Sequence, residues 1–295
     1  MASGGEGVNG GGVHPHWVQR DLTNGSRAVG AAATLVPMSA TNELVMAAAW
    51  VREAGRITVL TGAGMSTESG IPDFRGPNGI WTKNPEAEKA STLQHFLSSP
   101  EVRRRSWQNR LDNPLFQATP NRGHHALVAL ERRGQLVALA TQNVDGLHQA
   151  AGHHPDRVIE VHGTVHYSRC WDCGDRRPME HTLARVRAGE AEPACELCGG
   201  ILKSDAILFG QNLVPEVIDA AMRAAEQCDL LIAAGTSLSV FPAANMVPVA
   251  TRSGARVIIA NGEPTGMDRH ADAVLRGSLG EVLPVLCGAV QQEEA

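Results

Sequence analysis

Residues Arg56-Ile-Thr-Val-Leu-Thr61 run without a break into Gly62-Ala-Gly-Met-Ser-Thr-Glu-Ser-Gly70. The first six form a short run, apolar on both faces and ending at glycine, which is how a strand buried in a parallel sheet reads. Gly62 and Gly64 would let backbone approach a pyrophosphate, and a helix starting there would offer free N–H groups. By itself a Gly-x-Gly turn is equally an ordinary strand–helix connection. The third glycine of the dehydrogenase fingerprint is replaced by Thr67, and no Gly-Lys-Ser/Thr follows to make a P-loop. The stretch thus fits a dinucleotide without supporting ordinary hydride transfer.

Four more runs of this kind lie at 136–141, 158–161, 230–234 and 257–260. Helical spacing fills several gaps between them. Leu44, Ala47, Ala48 and Val51 mark one helix before Gly55, residues 123–133 a second before Gly134, and 215–227 a third with Glu216 near its start. Strand–helix alternation predicts an α/β fold with a doubly wound parallel sheet, whose ligands bind beyond the carboxyl ends of the strands. Two stretches break the rhythm, 76–121 and 167–203, and are expected to pack together. The predicted division is a Rossmann-like domain over 39–75, 122–165 and 204–295, with a small helical and zinc-binding domain over 76–121 and 166–203. Gly-rich residues 1–38 read as a disordered extension.

In the second of these stretches, Cys170-Trp-Asp-Cys173 and Cys195-Glu-Leu-Cys198 are separated by 21 residues. Each two-residue gap lets both sulfurs point at one ion, and two such knuckles suit a tetrahedral zinc with four thiolates. Four ligands leave no open position, so the predicted metal is structural. Cys228, in a helix, and Cys287, in an apolar tail, read as buried, inert thiols.

Composition narrows the function classes. The 295 residues are 43% hydrophobic and 19% charged, with six Cys and a net charge of −5. Six Cys are too sparse for a disulfide-stapled secreted scaffold. The negative balance argues against a protein that coats nucleic acid or anionic membrane. No apolar run reaches the roughly 18 residues of a membrane span, and residues 1–12 lack a signal pattern. The expected location is cytoplasmic.

The strand ends carry the chemistry. Gly70-Ile-Pro-Asp-Phe-Arg-Gly76 follows the opening loop, Thr141-Gln-Asn-Val-Asp145 the second strand, Glu160-Val-His-Gly163 the third, Gly235-Thr-Ser237 the fourth, and Asn261-Gly-Glu263 the fifth. Taken together, and in this order with the paired cysteines, these motifs resemble the sirtuin family of NAD-dependent protein deacylases, of bacterial type. The resemblance covers about residues 40–287. It implies NAD and an acylated protein lysine entering a cleft between the two domains from opposite sides.

The resemblance also implies roles. Gly62, Ala63 and Gly64 line the pyrophosphate. Gly235, Thr236 and Ser237 contact phosphate and the adenosine ribose, Asn261, Gly262 and Glu263 grip that ribose, and Leu279 faces adenine. Gln142 binds the nicotinamide ribose, while Ser66, Asn143 and Asp145 form the nicotinamide pocket. Asp73, Phe74, Arg75 and Trp81 complete the cofactor set, Phe74 shielding the reactive ribose carbon. His162 is the catalytic base, with Asn143 and Ser66 beside it, because a neutral imidazole accepts a proton near pH 7. In the implied reaction the acyl oxygen attacks the ribose carbon and nicotinamide leaves. His162 then assists attack of the ribose hydroxyl on the resulting imidate, and water completes the release of free lysine and O-acyl-ADP-ribose. Phe209, Gly210, Val240 and Phe241 are expected to pair with the substrate backbone. Gln211 stands where the family usually has an acid. Trp107-Gln-Asn-Arg110 falls where acidic-acyl-removing members carry Tyr-x2-Arg, so Arg110 could hold an acyl carboxylate, with Trp107 in place of the tyrosine. The remaining histidines include two predicted solvated pairs, His124–His125 and His153–His154, and a structural His148.

Three alternatives stay open at this point. They are an NAD-dependent dehydrogenase, a zinc-ribbon nucleic-acid module, and a mono-ADP-ribosyltransferase using the same cleft. The expected function is deacetylation, with removal of succinyl or malonyl groups secondary.

Overall fold

The computed structural model describes residues 40–73, 79, 83 and 91–289. The predicted extension over 1–38, and Phe74, Arg75 and Trp81, lie outside the described residues. The strands in chain order are β1 (Ile57–Thr61), β2 (Leu136–Thr141), β3 (Val158–Glu160), β4 (Tyr167–Cys170), β5 (Arg176–Pro178), β6 (Leu202–Ser204), β7 (Leu230–Ala234), β8 (Arg256–Ala260) and β9 (Ala273–Leu275). The α-helices are α1 (Ala40–Glu53), α2 (Leu93–Ser98), α3 (Pro100–Leu111), α4 (Arg122–Arg132), α5 (Leu147–Ala151), α6 (Met179–Arg187), α7 (Pro215–Gln227), α8 (Met246–Arg252) and α9 (Leu279–Leu286).

Six strands form a parallel sheet in the order β3-β2-β1-β7-β8-β9, and β5-β4-β6 form a small antiparallel one. All five expected parallel strands are present. The sixth, β9, has three residues, too few for a periodic signal.

The double apolar face of β1 works as its sequence implies. Ile57 and Val59 join one core and Leu60 the other. Ile232 and Ala234 of β7 take the first side, and Leu231 and Ala233 the second. Helices α1, α4 and α9 cover the first face, α7 and α8 the second. Burying each large aliphatic side chain fully contributes about 1.5–3 kcal/mol, so these strands are fixed by what lies on both sides of them.

Helix α4 begins at a capping box. The Asn121 side chain accepts from Gly123 N and His124 N, while His124 Nδ1 accepts from Asn121 N. Gly134 ends it at φ +72°. Cys228 caps α7 with extended backbone instead of lying within the helix, and burial pushes its thiol up, as it does that of Cys287 to about 12.

A third core joins Trp107 of α3 to Cys170, Met179, Leu183, Val186, Cys195 and Leu202. Helix α3 thus shares its apolar face with the cysteine-bearing stretch. Among the described residues no helix is long and apolar enough to cross a membrane.

Candidate active site and metal centre

Register brings the loops together. Thr61 pairs with Thr141 on one side and with Ala234 on the other. Gly62, Gln142 and Gly235 therefore leave the sheet at one level. The chain order switches direction between β1 and β7, the place where α/β sheets bind ligands. There the two loops touch: Gly64 N donates to Gly235 O at 2.8 Å. A Cβ on Gly64 would lie 2.9 Å from Gly235 O, and one on Gly235, at φ +62°, would lie 2.3 Å from Met65 N. Only glycines permit this approach. The helix expected to start there is a 3₁₀ helix, Ala63–Ser69.

Below this seam, Ser66 Oγ donates to Asp145 Oδ2 at 2.7 Å. Asn143 Nδ2 donates to Ser66 Oγ at 3.1 Å and to Gly62 O at 3.0 Å. All three side chains are buried. Asp145 Oδ1 accepts from Leu147 N at 2.9 Å, which starts α5 beside the carboxylate. The structure thus joins the three residues predicted to act together, from the segments that follow β1 and β2. Gln142 Oε1 accepts from Thr236 Oγ1 at 3.0 Å, which aims the amide across the seam. Its Nε2 is buried with no partner among the described residues. A free donor beside a glycine-lined seam fits a ribose hydroxyl, so these residues suit NAD.

His162 follows β3. Its Nδ1 lies 3.0 Å from the carbonyl oxygen of Gln142. A carbonyl only accepts, so Nδ1 carries the proton and Nε2 keeps its lone pair. Burial lowers the His162 pKa below 6.5, with the Gln142 bond opposing. The ring is therefore neutral near pH 7 and able to accept a proton at Nε2. Its backbone is held from beneath: Ile207 N donates to His162 O at 2.7 Å, and Gly163 adopts φ +69° where a Cβ would lie 2.2 Å from Asp205 O.

The remaining predicted positions are arranged around the same edge. Asn261 Nδ2 donates to Glu263 O at 2.7 Å, and Arg276 clasps both backbone oxygens. Gly262 and Ser237 are exposed, Leu279 is buried against the Gly235 turn, and Asp73 is half-buried. Phe209 and Phe241 are exposed, with Val240 half-buried. Phe209 is bonded both ways to the segment before α2, through Ser91 O and Leu93 N. Gln211 closes its own loop by accepting from Leu208 N, and Gly210 turns there at φ +78°.

The pair Trp107 and Arg110 does not form an open carboxylate site. Trp107 is 1% exposed in the small core. Arg110 donates to Ser106 and, at 3.0 Å, to Ser204 Oγ, and stacks on Trp107. Its guanidinium is already committed inside the protein.

The metal centre is as its spacing predicts. The four Sγ atoms of Cys170, Cys173, Cys195 and Cys198 lie within 4.8 Å of one another. The shorter separations, 3.5 Å for Cys170–Cys198 and 3.6 Å for Cys173–Cys195, exceed a disulfide and approach the edge of about 3.8 Å that Zn–S bonds of about 2.3 Å make in a tetrahedron. The donor set fits structural zinc. Cys170 and Cys195 share the small core with Trp107 of α3, so an ion held there would fasten the Cys170–Cys173 knuckle to the Cys195–Cys198 knuckle beside that core.

Several working residues escape a sequence reading. Glu68 Oε1 accepts from Ser278 Oγ at 3.0 Å and Gly280 N at 2.9 Å, tying the cofactor loop to the start of α9. Asn121 Nδ2 donates to Met65 O and Ser69 Oγ. Its position before a helix signals a cap, but nothing local signals that reach. Lys203 is buried, bonded to Ser204 O and Ala206 O, and its pKa is lowered to about 8 by burial. The predicted solvated pairs need correction. His125 and His154 are exposed, but His124 and His153 are buried beside His148. Each pair sits at a helix terminus, where one ring turns inward and its neighbour outward.

Comparison with known proteins gives one answer. Residues 62–242 match the model of the Sir2 family. The chain is 49% identical over 230 residues to NAD-dependent protein deacetylase 2 of Streptomyces coelicolor, covering 78% of this chain and 95% of that protein. It is 44% identical over 232 residues to the NAD-dependent protein deacetylase of Sulfolobus acidocaldarius, covering 78% and 88%. Among solved structures, a Sir2 enzyme matches with TM-score 0.75 and 36% identity over 84% of this chain and 97% of that one. A Sir2–p53 peptide–NAD+ complex matches with TM-score 0.73 and 32% identity over 82% and 97%. With its glycine seam, buried Ser66–Asn143–Asp145 network and four-cysteine centre, the chain belongs to the Sir2 family, the sirtuins, and is of bacterial type.

Proposed function

We propose that the protein is an NAD-dependent protein lysine deacetylase that moves the acyl group to ADP-ribose with release of nicotinamide. The carrying observation is His162, whose Nδ1–H is held by Gln142 O and whose Nε2 is free to take a proton. The naming of its relatives as NAD-dependent protein deacetylases supports the same reading.

Bound NAD supplies the ribose carbon that receives the acyl oxygen as nicotinamide leaves. Gly62, Ala63, Gly64, Gly235, Thr236 and Ser237 hold its phosphates, and Asn261, Gly262, Glu263 and Leu279 its adenosine end. Gln142 donates to the nicotinamide ribose from its unpartnered Nε2. Asp145 accepts from the carboxamide, oriented by Ser66 and Asn143. His162 Nε2 removes the ribose hydroxyl proton in the transition state, an effect worth about 10²–10⁴-fold. The Asp73–Arg75 segment and Trp81 complete the cofactor loop in this reading. Phe209, Gly210, Val240 and Phe241 flank the acyl-lysine chain.

The internal bonds of Arg110 favour acetyl over succinyl groups, since its guanidinium is engaged by Ser106 and Ser204 and not left to meet an acyl carboxylate. The three separate cores support the division into a Rossmann-like domain over 39–75, 122–165 and 204–295 and a small zinc domain over 76–121 and 166–203. The absence of disulfides among the six cysteines supports a cytoplasmic setting.

The test is incubation with NAD and matched acetyl- and succinyl-lysine peptides, reading peptide mass and free nicotinamide together. Acetyl loss matched by nicotinamide supports the assignment. Nicotinamide release with ADP-ribose added to protein and the acetyl group retained would replace it with ADP-ribosyl transfer.

A further inference from the structure

Three buried imidazoles pack behind the Ser66–Asn143–Asp145 network and take no part in the chemistry above. The ring centroids of His124 and His148 lie 4.9 Å apart, and those of His148 and His153 5.8 Å. Each ring has one buried nitrogen with no partner among the described residues: His124 Nε2, His148 Nδ1 and His153 Nε2. Unpaired buried polar atoms are expensive, so three on adjacent rings call for an explanation.

The other nitrogen of each ring fixes what the free one offers. His124 Nδ1 accepts from the Asn121 backbone N–H at 3.3 Å. Its Nε2 therefore carries the proton. Thr61 Oγ1 donates to Thr141 Oγ1 at 2.9 Å, so toward His148 Nε2, also at 2.9 Å, it can only accept. His148 Nδ1 is therefore a lone pair. His153 Nδ1 lies 2.6 Å from Glu131 Oε2. Burial raises the Glu131 carboxyl, but the bonds from His153 and the His154 amide outweigh it and hold the group below its ordinary value. An ionised carboxylate only accepts, so His153 donates through Nδ1 and leaves Nε2 as a lone pair.

The three free nitrogens thus present one donor and two acceptors. That set is the complement of a single water molecule, which accepts one bond and donates two. It is the wrong set for a metal ion, because the His124 N–H would face it. Among the described residues, only the four cysteines bring three or more ligand atoms within 4.8 Å of one another. One donor and two acceptors splayed toward a trigonal arrangement, about 5 Å or more apart, are spaced too widely for one metal ion and match the roughly three bonds of a buried water.

We propose that His124, His148 and His153 bind one internal water, and that this group positions the nicotinamide pocket through Thr61 and Thr141. The connection is continuous. His148 donates to Thr61, Thr61 donates to Thr141, and Thr141 Oγ1 accepts the Asn143 backbone N–H at 3.1 Å. Asn143 then holds Ser66 and Gly62. At the other end, Glu131 meets solvent in a surface recess with His154, Asp156 and Arg157. His148 and His153 are positioning residues, since they act through Asn143. The positioning role rests on the assignment of this cleft to NAD, whereas the water does not.

A high-resolution crystal structure of the full chain tests the water directly. The expected result is density within hydrogen-bond distance of all three nitrogens. Direct bonding between two of the rings with no density between them overturns the proposal. His153→Phe and His153→Gln test the positioning. Phe removes the acceptor, whereas the Gln carbonyl restores one near the imidazole Nε2. The expected result is an inhibition constant for nicotinamide raised about fivefold or more in His153→Phe, and within about twofold of wild type in His153→Gln. Equal constants in the two variants, or no change in either, overturn the positioning role. Wild type that consumes no NAD would remove the functional assignment, while the density would still decide the water.

Discussion

His162 donates its Nδ1 proton to the carbonyl oxygen of Gln142 at 3.0 Å, from a residue just past β3 to one just past β2. This bond sets the tautomer, leaves Nε2 with its lone pair, and links the proposed base to the residue whose unpartnered amide is proposed to meet the ribose. His162→Ala is expected to lower kcat by about 10²-fold or more while leaving folding intact, since the ring is only half-buried. The check is kcat beside the thermal midpoint.

The same ring sets a pH profile. Burial lowers its pKa below 6.5, so the required neutral form is lost only on the acid side. The kcat/KM profile is expected to rise with pH and reach half its plateau below pH 6.5. An acid limb centred above 6.5 would contradict the desolvated environment described for His162.

Stability has its own pH dependence, from His124, His148 and His153. Burial holds all three below their ordinary value, His124 at about 4 with His125 and His153 adding to the effect, and Glu131 opposing it at His153. Between pH 6.5 and 4 the unfolded chain binds protons that the folded chain refuses. Stability therefore falls as pH drops through this window, and above 6.5 these groups add no slope. His124 alone amounts to about 2 kcal/mol at pH 5. Thermal melts from pH 7.5 to 5 measure it.

Removal of the metal is expected to unfold the small core first, because Cys170 and Cys195 pack directly against Trp107. The purified chain is expected to hold one zinc. Cys173→Ser is expected to lower zinc content and reduce the thermal midpoint by about 5 °C or more. Zinc assay and calorimetry on the same preparation read both.

Arg110→Ala separates an internal role from an acyl-carboxylate role. Its bonds to Ser106 and Ser204 predict a loss of about 2 kcal/mol in stability with an unchanged ratio of acetyl to succinyl turnover. A ratio shifted toward acetyl by tenfold would return Arg110 to the substrate.

Much of this was legible in the chain. Strands such as Leu230–Ala234 have no polar residue on either face, so their burial on both sides follows from composition alone. The zinc ligands and the strand-end residues carry their chemistry at fixed local spacing. What local pattern does not carry is reach. Nothing near Glu68 indicates a bond to Gly280, 212 positions away, and β9 is too short to show a period. Histidine is the hardest case. His124 and His125 are adjacent, yet the turn of about 100° between neighbours on one helix puts the first in the core and the second in water. Trp107 and Arg110 are the converse case, since residue types that suit a carboxylate site also serve packing and internal bonds.

The most direct test of the account follows the acyl group itself. The protein is incubated with NAD and a peptide carrying an isotopically labelled acetyl-lysine, and the ADP-ribose product is weighed by mass spectrometry. The account predicts labelled O-acetyl-ADP-ribose in equal amount to nicotinamide and deacetylated peptide, formed about 10²-fold or more slowly with His162→Ala. Label released as free acetate from the outset, with unmodified ADP-ribose, would contradict it.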